Sequence, residues 1–206
     1  MSMISCVMLA AGSSTRSLYG NKLLACLPDG VPVVRQVALT LLGAGVGELL
    51  VVTGHQSQLI EEALEGLSLR FVFASRHTEG MGHSLAAGVG ATRRDTEAFL
   101  ICPADLPWLQ KSTVRDVGLA FDAQGAGQHV IPVQAGRRGH PVVLGAWLRG
   151  GLEALSGDIG ARRLLEEEAA CGRCHELCVS DLGIHRDVDK GLSLDGSDAL
   201  KRTIRR

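Results

Sequence analysis

Two cations, a small-residue loop and an isolated carboxylate are the residues most able to do chemistry in this chain. Residues 7–16 read Val-Met-Leu-Ala-Ala-Gly-Ser-Ser-Thr-Arg, and Asn21-Lys22-Leu23-Leu24 follows. An apolar run that stops at Gly12 and its small neighbours lets backbone N–H groups approach a phosphate closely, with Arg16 and Lys22 beside it. The loop is not a P-loop, because Gly12 and Gly20 are too far apart and Lys22 precedes Leu23. It is not a dinucleotide fingerprint either, since only Gly12 is in place. The second stretch is Pro103-Ala104-Asp105-Leu106-Pro107, in which two prolines restrict the backbone around Asp105. A carboxylate just beyond a strand suits Mg²⁺, a hard cation that favours oxygen ligands and bridges phosphates. The third is Asp187-Val188-Asp189. In extended chain both carboxylates share a face and call for a nearby cation, which makes Asp189 a second candidate metal ligand.

Three further stretches carry polar or glycine-rich chemistry. Glu79-Gly80-Met81-Gly82-His83-Ser84-Leu85 opens a helix with glycines, so that free N–H groups and the Ser84 hydroxyl point at a ligand. Gly136-Arg137-Arg138-Gly139-His140-Pro141 is a tight basic turn suited to a second anionic substrate. In Gly157-Asp158-Ile159-Gly160-Ala161-Arg162, Asp158 has the character of a helix N-cap.

Short β-branched runs alternate with helical periodicity around these stretches. Strands are expected at 4–9, 48–53, 69–74, 98–102, 129–133, 141–144 and 177–180. Helices are expected at 33–42, 56–67, 83–94, 112–121 (with Ser112 as N-cap), 146–155 and 159–170. Such alternation builds βαβ units around a mainly parallel sheet covered on both faces. No compositional break divides residues 1–206, which read as one domain with a peripheral tail from 190.

Composition narrows the function classes. Hydrophobic residues make up 46%, enough for a real core. Aromatics at 3% and a net charge of −1 argue against nucleic-acid binding. The basic cluster Lys201-Arg202-Thr203-Ile204-Arg205-Arg206 has the character of a solvated end. No apolar run approaches the ~20 residues of a membrane helix, and Met3–Ala11 lacks a positive flank, so a cytoplasmic protein is expected. Cys6 and Cys102 lie in apolar runs and read as core residues. Cys171-Gly172-Arg173-Cys174-His175-x-x-Cys178 contains the haem-attachment pattern, which requires export, and could supply four zinc ligands. Its compressed spacing hinders a tetrahedral site, so incidental thiols in a helix-to-strand connection are expected.

Taken together and in order, these stretches resemble the nucleotidyltransferases that activate molybdopterin, and among them the molybdenum cofactor cytidylyltransferases. Leu9-Ala10-Ala11-Gly12-x-Ser14-x-Arg16 with Lys22-Leu23-Leu24 matches the first motif of that family. Gly80-Met81-Gly82-x-Ser84-Leu85 matches its base-binding stretch. Pro103–Pro107, Arg138-Gly139-His140-Pro141 and Gly157-Asp158-x-Gly160-Ala161-Arg162 match later motifs, and the resemblance covers residues 5 to 189. Departures are Ser17-Leu18-Tyr19 after Arg16, and Lys190-Gly191-Leu192-Ser193 after Asp189.

The resemblance implies an α/β, three-layer, Rossmann-like nucleotidyltransferase fold with a mostly parallel central sheet. It implies transfer of CMP from CTP to molybdopterin with loss of pyrophosphate, and a molybdoenzyme as recipient of the product. Arg16 and Lys22 become catalytic. Leu9, Ala10, Ala11, Gly12, Ser14, Gly80, Gly82 and Ser84 hold the nucleotide, and Asp105 and Asp189 hold Mg²⁺. Arg138, His140 and Asp158 receive the cofactor substrate. Ala11, where guanylyltransferase relatives have Gly, leans toward CTP. Guanylyl transfer to the same cofactor, cytidylyl transfer to a sugar or polyol phosphate, and a non-catalytic cofactor carrier are the alternatives. Retention of Arg16, Lys22 and Asp105 favours an enzyme over a carrier.

Overall fold

A computed structural model describes residues 2–12, 21–124, 127–158 and 160–188. In chain order the regular elements are β1 (Ile4–Leu9), α1 (Val33–Gly43), β2 (Glu48–Thr53), α2 (Ser57–Ala63), β3 (Arg70–Phe73), α3 (Met81–Gly90) and β4 (Ala98–Pro103). They continue with α4 (Lys111–Ala123), β5 (His129–Gln134), β6 (Arg137–Arg138), β7 (Val142–Gly145), α5 (Arg149–Glu153), α6 (Arg162–Ala170) and β8 (Cys174–Cys178). One eight-stranded sheet runs β3-β2-β1-β4-β7-β5-β6, with β8 paired to β5. Strands β1 to β4 are mutually parallel, β8 is parallel to β5, and β6 and β7 run antiparallel.

Strand alternation divides the core into two layers. Cys6, Met8 and Ala10 of the β1 segment face α1, α2 and α4 through Val37, Leu41, Ile60, Val117 and Phe121. Val7, Val52, Phe99 and Ile101 face α3 and α5 through Leu85, Val89 and Leu152. This is the three-layer α/β architecture with a mostly parallel sheet. Cys6 and Cys102 are fully buried, as their apolar surroundings predict. No helix among the described residues is long and apolar enough to cross a membrane.

Several boundaries differ from the sequence pattern. α2 stops at Ala63 because the chain turns through Gly66 at φ 80°. α3 begins at Met81 and ends at Gly90, where the Thr92 hydroxyl donates back to the Val89 carbonyl (2.7 Å). The expected helix at 146–155 is a 3₁₀ turn, Ala146–Leu148, followed by α5. Ser112 does not cap α4, whose N-cap position is Gln110. The distant Asp181 supplies the acceptor instead, taking bonds from Gln110 N (2.9 Å) and Thr113 Oγ1 (2.8 Å). The last strand is Cys174–Cys178 rather than 177–180, so Cys174, His175 and Cys178 lie within a strand and not in a connection. All six cysteines are free thiols.

At the opening of β5 a buried polar network fastens α6 to the sheet. His129 is fully buried and stacks on Trp147 with ring centroids 4.8 Å apart. Its Nδ1 accepts from Gly145 N (3.1 Å), so Nε2 is the donor to Glu168 Oε2 (3.2 Å). Burial holds this imidazole below its ordinary pKa. Arg173 grips Glu168 with two hydrogen bonds of 2.6 and 2.7 Å and, with help from His129 and Trp147, pulls the Glu168 carboxyl down to about 2. A depressed carboxyl contributes stability that is complete above its unfolded pKa and is lost as pH falls toward the folded one. Discounted for the half-exposed Arg173, that contribution is about 2 kcal/mol. Urea unfolding at pH 7 and pH 3 is therefore expected to show about 1 kcal/mol more acid destabilisation in the wild type than in Glu168→Gln, since a carboxyl with a folded value of about 2 is still mostly ionised at pH 3.

Candidate functional site

Parallel pairing brings the carboxyl ends of β1, β2 and β4 to one edge of the sheet, where ligands bind in open α/β folds. The first loop leaves β1 there. Ala10 N donates to Val52 O (2.9 Å) and Ala104 N to Leu9 O (3.0 Å), which carries the sheet register just past the strand ends. Leu9 is partly buried, and Ala10 and Ala11 are buried. The chain surfaces at Gly12, where an added Cβ would meet nothing within 4 Å. Ser14 and Arg16 lie outside the described residues.

Lys22 opens a short 3₁₀ turn, Lys22–Leu24. The Asn21 side chain caps that turn by accepting from Leu23 N (3.1 Å), and Leu23 is buried in the core beneath it. This pins the backbone of Lys22 and sends its ammonium to Asp105, Nζ to Oδ2, at 2.6 Å. The two side chains are 28% and 20% exposed, so the pair is partly shielded from water yet reachable. Asp105 in turn accepts at its backbone carbonyl from Val188 N (3.0 Å). The 181–188 segment is set against it by Asp181, which also accepts from Gly183 N (2.7 Å). Asp187 thus sits one residue from the contact with Asp105, and Asp189 lies outside the described residues.

Among the described residues, no group of three or more His, Cys, Asp or Glu side chains is arranged to hold a metal ion. That excludes an all-protein cage there and gives the Cys171–Cys178 stretch no described zinc site. It fits Mg²⁺, which takes one or two carboxylates and completes its shell with substrate phosphates and water. Asp105 and Asp187 are the described carboxylates in this region.

The glycine stretch and the Gly157 loop form one structure. Gly80 has φ 124°, a conformation open chiefly to glycine, and a Cβ there would lie 2.3 Å from the Gly157 carbonyl carbon. Gly82 N donates to Gly157 O (2.7 Å), so this amide is committed to the loop and not to a ligand, contrary to the sequence expectation. Ser84 is buried inside α3. Asp158 does not cap the following helix, whose N-cap position is Ala161. Gly80→Ala is expected to cost about 2 kcal/mol in chemical denaturation, by forcing the two backbones apart.

The basic turn is divided between two tasks. Arg138 is exposed and pairs with Glu176 of β8 (2.7 Å). His140 lies in a wide irregularity of the return strand. Val133 pairs with Arg138 and Val130 with Val143, so three steps along β5 face five along its partner. The extra residues push His140 out of the ladder, as bulges do beside functional sites. Its N–H donates to Ile184 O (3.1 Å). Burial pushes the imidazole below its ordinary pKa, against the opposing pull of the Ile101 carbonyl and of Asp105, while His185 adds to the depression.

His185 and Asp181 belong to this region and were missed by sequence reasoning. His185 stands two residues before Asp187 in the same alternation, which was the available clue. Asp181 had none, because its partners are about seventy positions away. The assembled groups are a small-residue loop, a pinned lysine and a carboxylate at one strand edge. That combination can align a triphosphate, neutralise its charge and favour departure of pyrophosphate.

Comparison with known proteins agrees. Residues 6–172 match the model of the MobA-like NTP transferase domain. The nicotine blue oxidoreductase of Paenarthrobacter nicotinovorans is 32% identical over 168 residues, 79% of this chain and 81% of that protein. The bifunctional protein GlmU of Geobacter sulfurreducens is 27% identical over 150 residues, 73% of this chain but 31% of its own length, so the chain spans only about a third of that relative. A solved nucleotidyl transferase structure from Methanothermobacter superposes with a TM-score of 0.76 at 27% identity, covering 97% of this chain and 95% of that one.

Proposed function

The chain belongs to the MobA-like NTP transferase domain family and is a nucleotidyltransferase, and from that premise we propose that it transfers CMP from CTP to molybdopterin. The observation that carries the transfer reading is the Lys22–Asp105 pair beneath the Ala10–Gly12 loop. The choice of CTP and molybdopterin draws on the sequence motifs. Ala11, where guanylyltransferase relatives have Gly, leans the choice toward cytidine.

In this reading a terminal phosphate oxygen of molybdopterin attacks the α-phosphorus of CTP. The bond from that phosphorus to the bridging oxygen breaks, and pyrophosphate departs with the electron pair. Phosphate is already anionic, so no strong general base is needed and alignment with charge neutralisation dominates. Backbone amides at Gly12 cradle the triphosphate, and Lys22 and Arg16 stabilise the reacting and leaving oxygens. Asp105, with Asp189, would hold Mg²⁺, which supplies charge neutralisation at the phosphate oxygens when bound. His140 receives the acceptor, and the protein works in the cytoplasm, handing its product to a molybdoenzyme.

Pyrophosphate release measured with CTP, GTP, ATP and UTP, each alone, with molybdopterin and with a sugar or polyol phosphate, tests the assignment. Release only with CTP and molybdopterin together is the expected result. Release with GTP in place of CTP assigns guanylyl transfer, and release with CTP and a sugar or polyol phosphate assigns that acceptor. No release in any combination overturns the transfer reading in favour of a carrier.

A further inference from the structure

A buried carboxylate away from the reacting groups holds the segment that supports Asp105. Asp181 is 3% exposed. Its Oδ2 accepts from Gln110 N (2.9 Å) and Thr113 Oγ1 (2.8 Å) at the start of α4, and its Oδ1 from Gly183 N (2.7 Å). Each oxygen thus holds a different segment. From this point residues 181–188 run antiparallel to 105–113. A Cβ at Gly183 would lie 2.2 Å from the Trp108 carbonyl oxygen, so the two backbones touch there. The Arg186 guanidinium lies 4.0 Å over the Trp108 ring. Val188 N then donates to Asp105 O (3.0 Å), and the antiparallel run ends at the residue whose carboxylate meets Lys22. Asp105 therefore has two backbone supports. The bond from Ala104 N to Leu9 O (3.0 Å) ties it to β1, and Val188 N ties it to a strap whose far end is Asp181.

We propose that Asp181 is a positioning residue for nucleotidyl transfer: by fastening the 181–188 strap to α4, it fixes Asp105 against Lys22. This rests on the nucleotidyl-transfer reading. Burying a carboxylate is costly, and packing alone would favour an apolar pair. The carboxylate adds direction, because hydrogen bonds to an ionised oxygen are short and about twice as strong as neutral ones. A loosened strap frees the Asp105 backbone on one side, and a displacement of about 1 Å at a reacting group can cost ~10²-fold in rate. Both oxygens of Asp181 are committed to protein donors, so it acts through Asp105 and not on a substrate.

The test uses the full chain with CTP and purified molybdopterin. Asp181→Asn keeps the shape but turns one oxygen into an NH₂ donor, which faces another donor and releases either α4 or the strap. It is expected to lower kcat for pyrophosphate release about tenfold or more, and to speed hydrogen exchange at the Val188 amide about tenfold. Thr113→Val removes one donor near-isosterically and is expected to lower kcat about threefold, and Thr113→Ser, which keeps the hydroxyl, to restore it. Glu168→Gln is the stability control. Its network opens β5, at the opposite ends of the strands from Asp105, so its kcat and Val188 exchange are expected to match wild type. A slower kcat in Asp181→Asn with unchanged Val188 exchange overturns the assignment. An equal loss of kcat in Glu168→Gln also overturns it, since general destabilisation gives that result. If Asp181→Asn does not fold, the Thr113 pair decides, and equal kcat in Thr113→Val and Thr113→Ser overturns the assignment. A wild-type chain that releases no pyrophosphate overturns the transfer reading and the assignment with it. Wild-type turnover matched by Asp181→Asn removes the assignment alone.

Discussion

Lys22→Ala is expected to lower kcat for pyrophosphate release by about 10²–10³, the scale of losing one preorganised charge-stabilising donor. The magnitude follows from how the lysine is held. Asn21 caps its turn, Leu23 anchors it in the core, and the ammonium already stands 2.6 Å from the carboxylate at the reacting end of the sheet. Little reorganisation is then needed to bring the charge onto a developing oxyanion. The fold should survive, because a partly exposed ion pair contributes no more than about 1 kcal/mol. Lys22→Arg retains charge but replaces a compact ammonium with a planar fork, and is expected to recover only part of the rate. Steady-state turnover with thermal unfolding as a control checks both statements. Turnover of Lys22→Ala within threefold of wild type would remove the lysine from the chemistry.

The local features of this site were legible because local physics sets them. β1 and β2 appear at the residues their apolar runs marked, and the placement of Asp105 beyond β4 follows from a buried strand ending in Pro-Ala-Asp. Motif order brought the loop, Lys22, Asp105 and His140 into one proposal, and the structure places the described members at one sheet edge. The remainder depended on contacts far apart in sequence. Gly82 looked like an open amide because nothing near it in sequence shows that Gly157 O will claim it. Arg138 and His140 looked like one basic unit, yet the irregular pairing between β5 and its return strand separates their directions by two residues. Ser112 had the right type for a cap, but Asp181 arrives from the end of the chain and takes the role.

Asp105→Asn carries the second large expected effect, and it separates two jobs that one carboxylate could have. As an anchor for Lys22 it sets the position of an ammonium; as a metal ligand it fixes the cation that accompanies a triphosphate. Asparagine is nearly isosteric and leaves the backbone bond from Val188 N to residue 105 intact, so folding should change little. Loss of the anionic oxygen should reduce kcat by about 10³ at saturating Mg²⁺, with the half-saturating Mg²⁺ concentration rising about tenfold or more. Lys22→Ala should leave that Mg²⁺ dependence close to wild type, since an ammonium is not a ligand. The double variant is expected to fall well short of the product of the two single losses, because each side chain acts partly through the other. Pyrophosphate release titrated against Mg²⁺ in the wild type, both single variants and the double variant measures all three quantities. If Asp105→Asn slows turnover yet keeps the wild-type Mg²⁺ dependence, Asp105 serves to position Lys22 and the cation is held elsewhere. If it does neither, the pair at the sheet edge is a structural contact and the chemistry belongs to other groups.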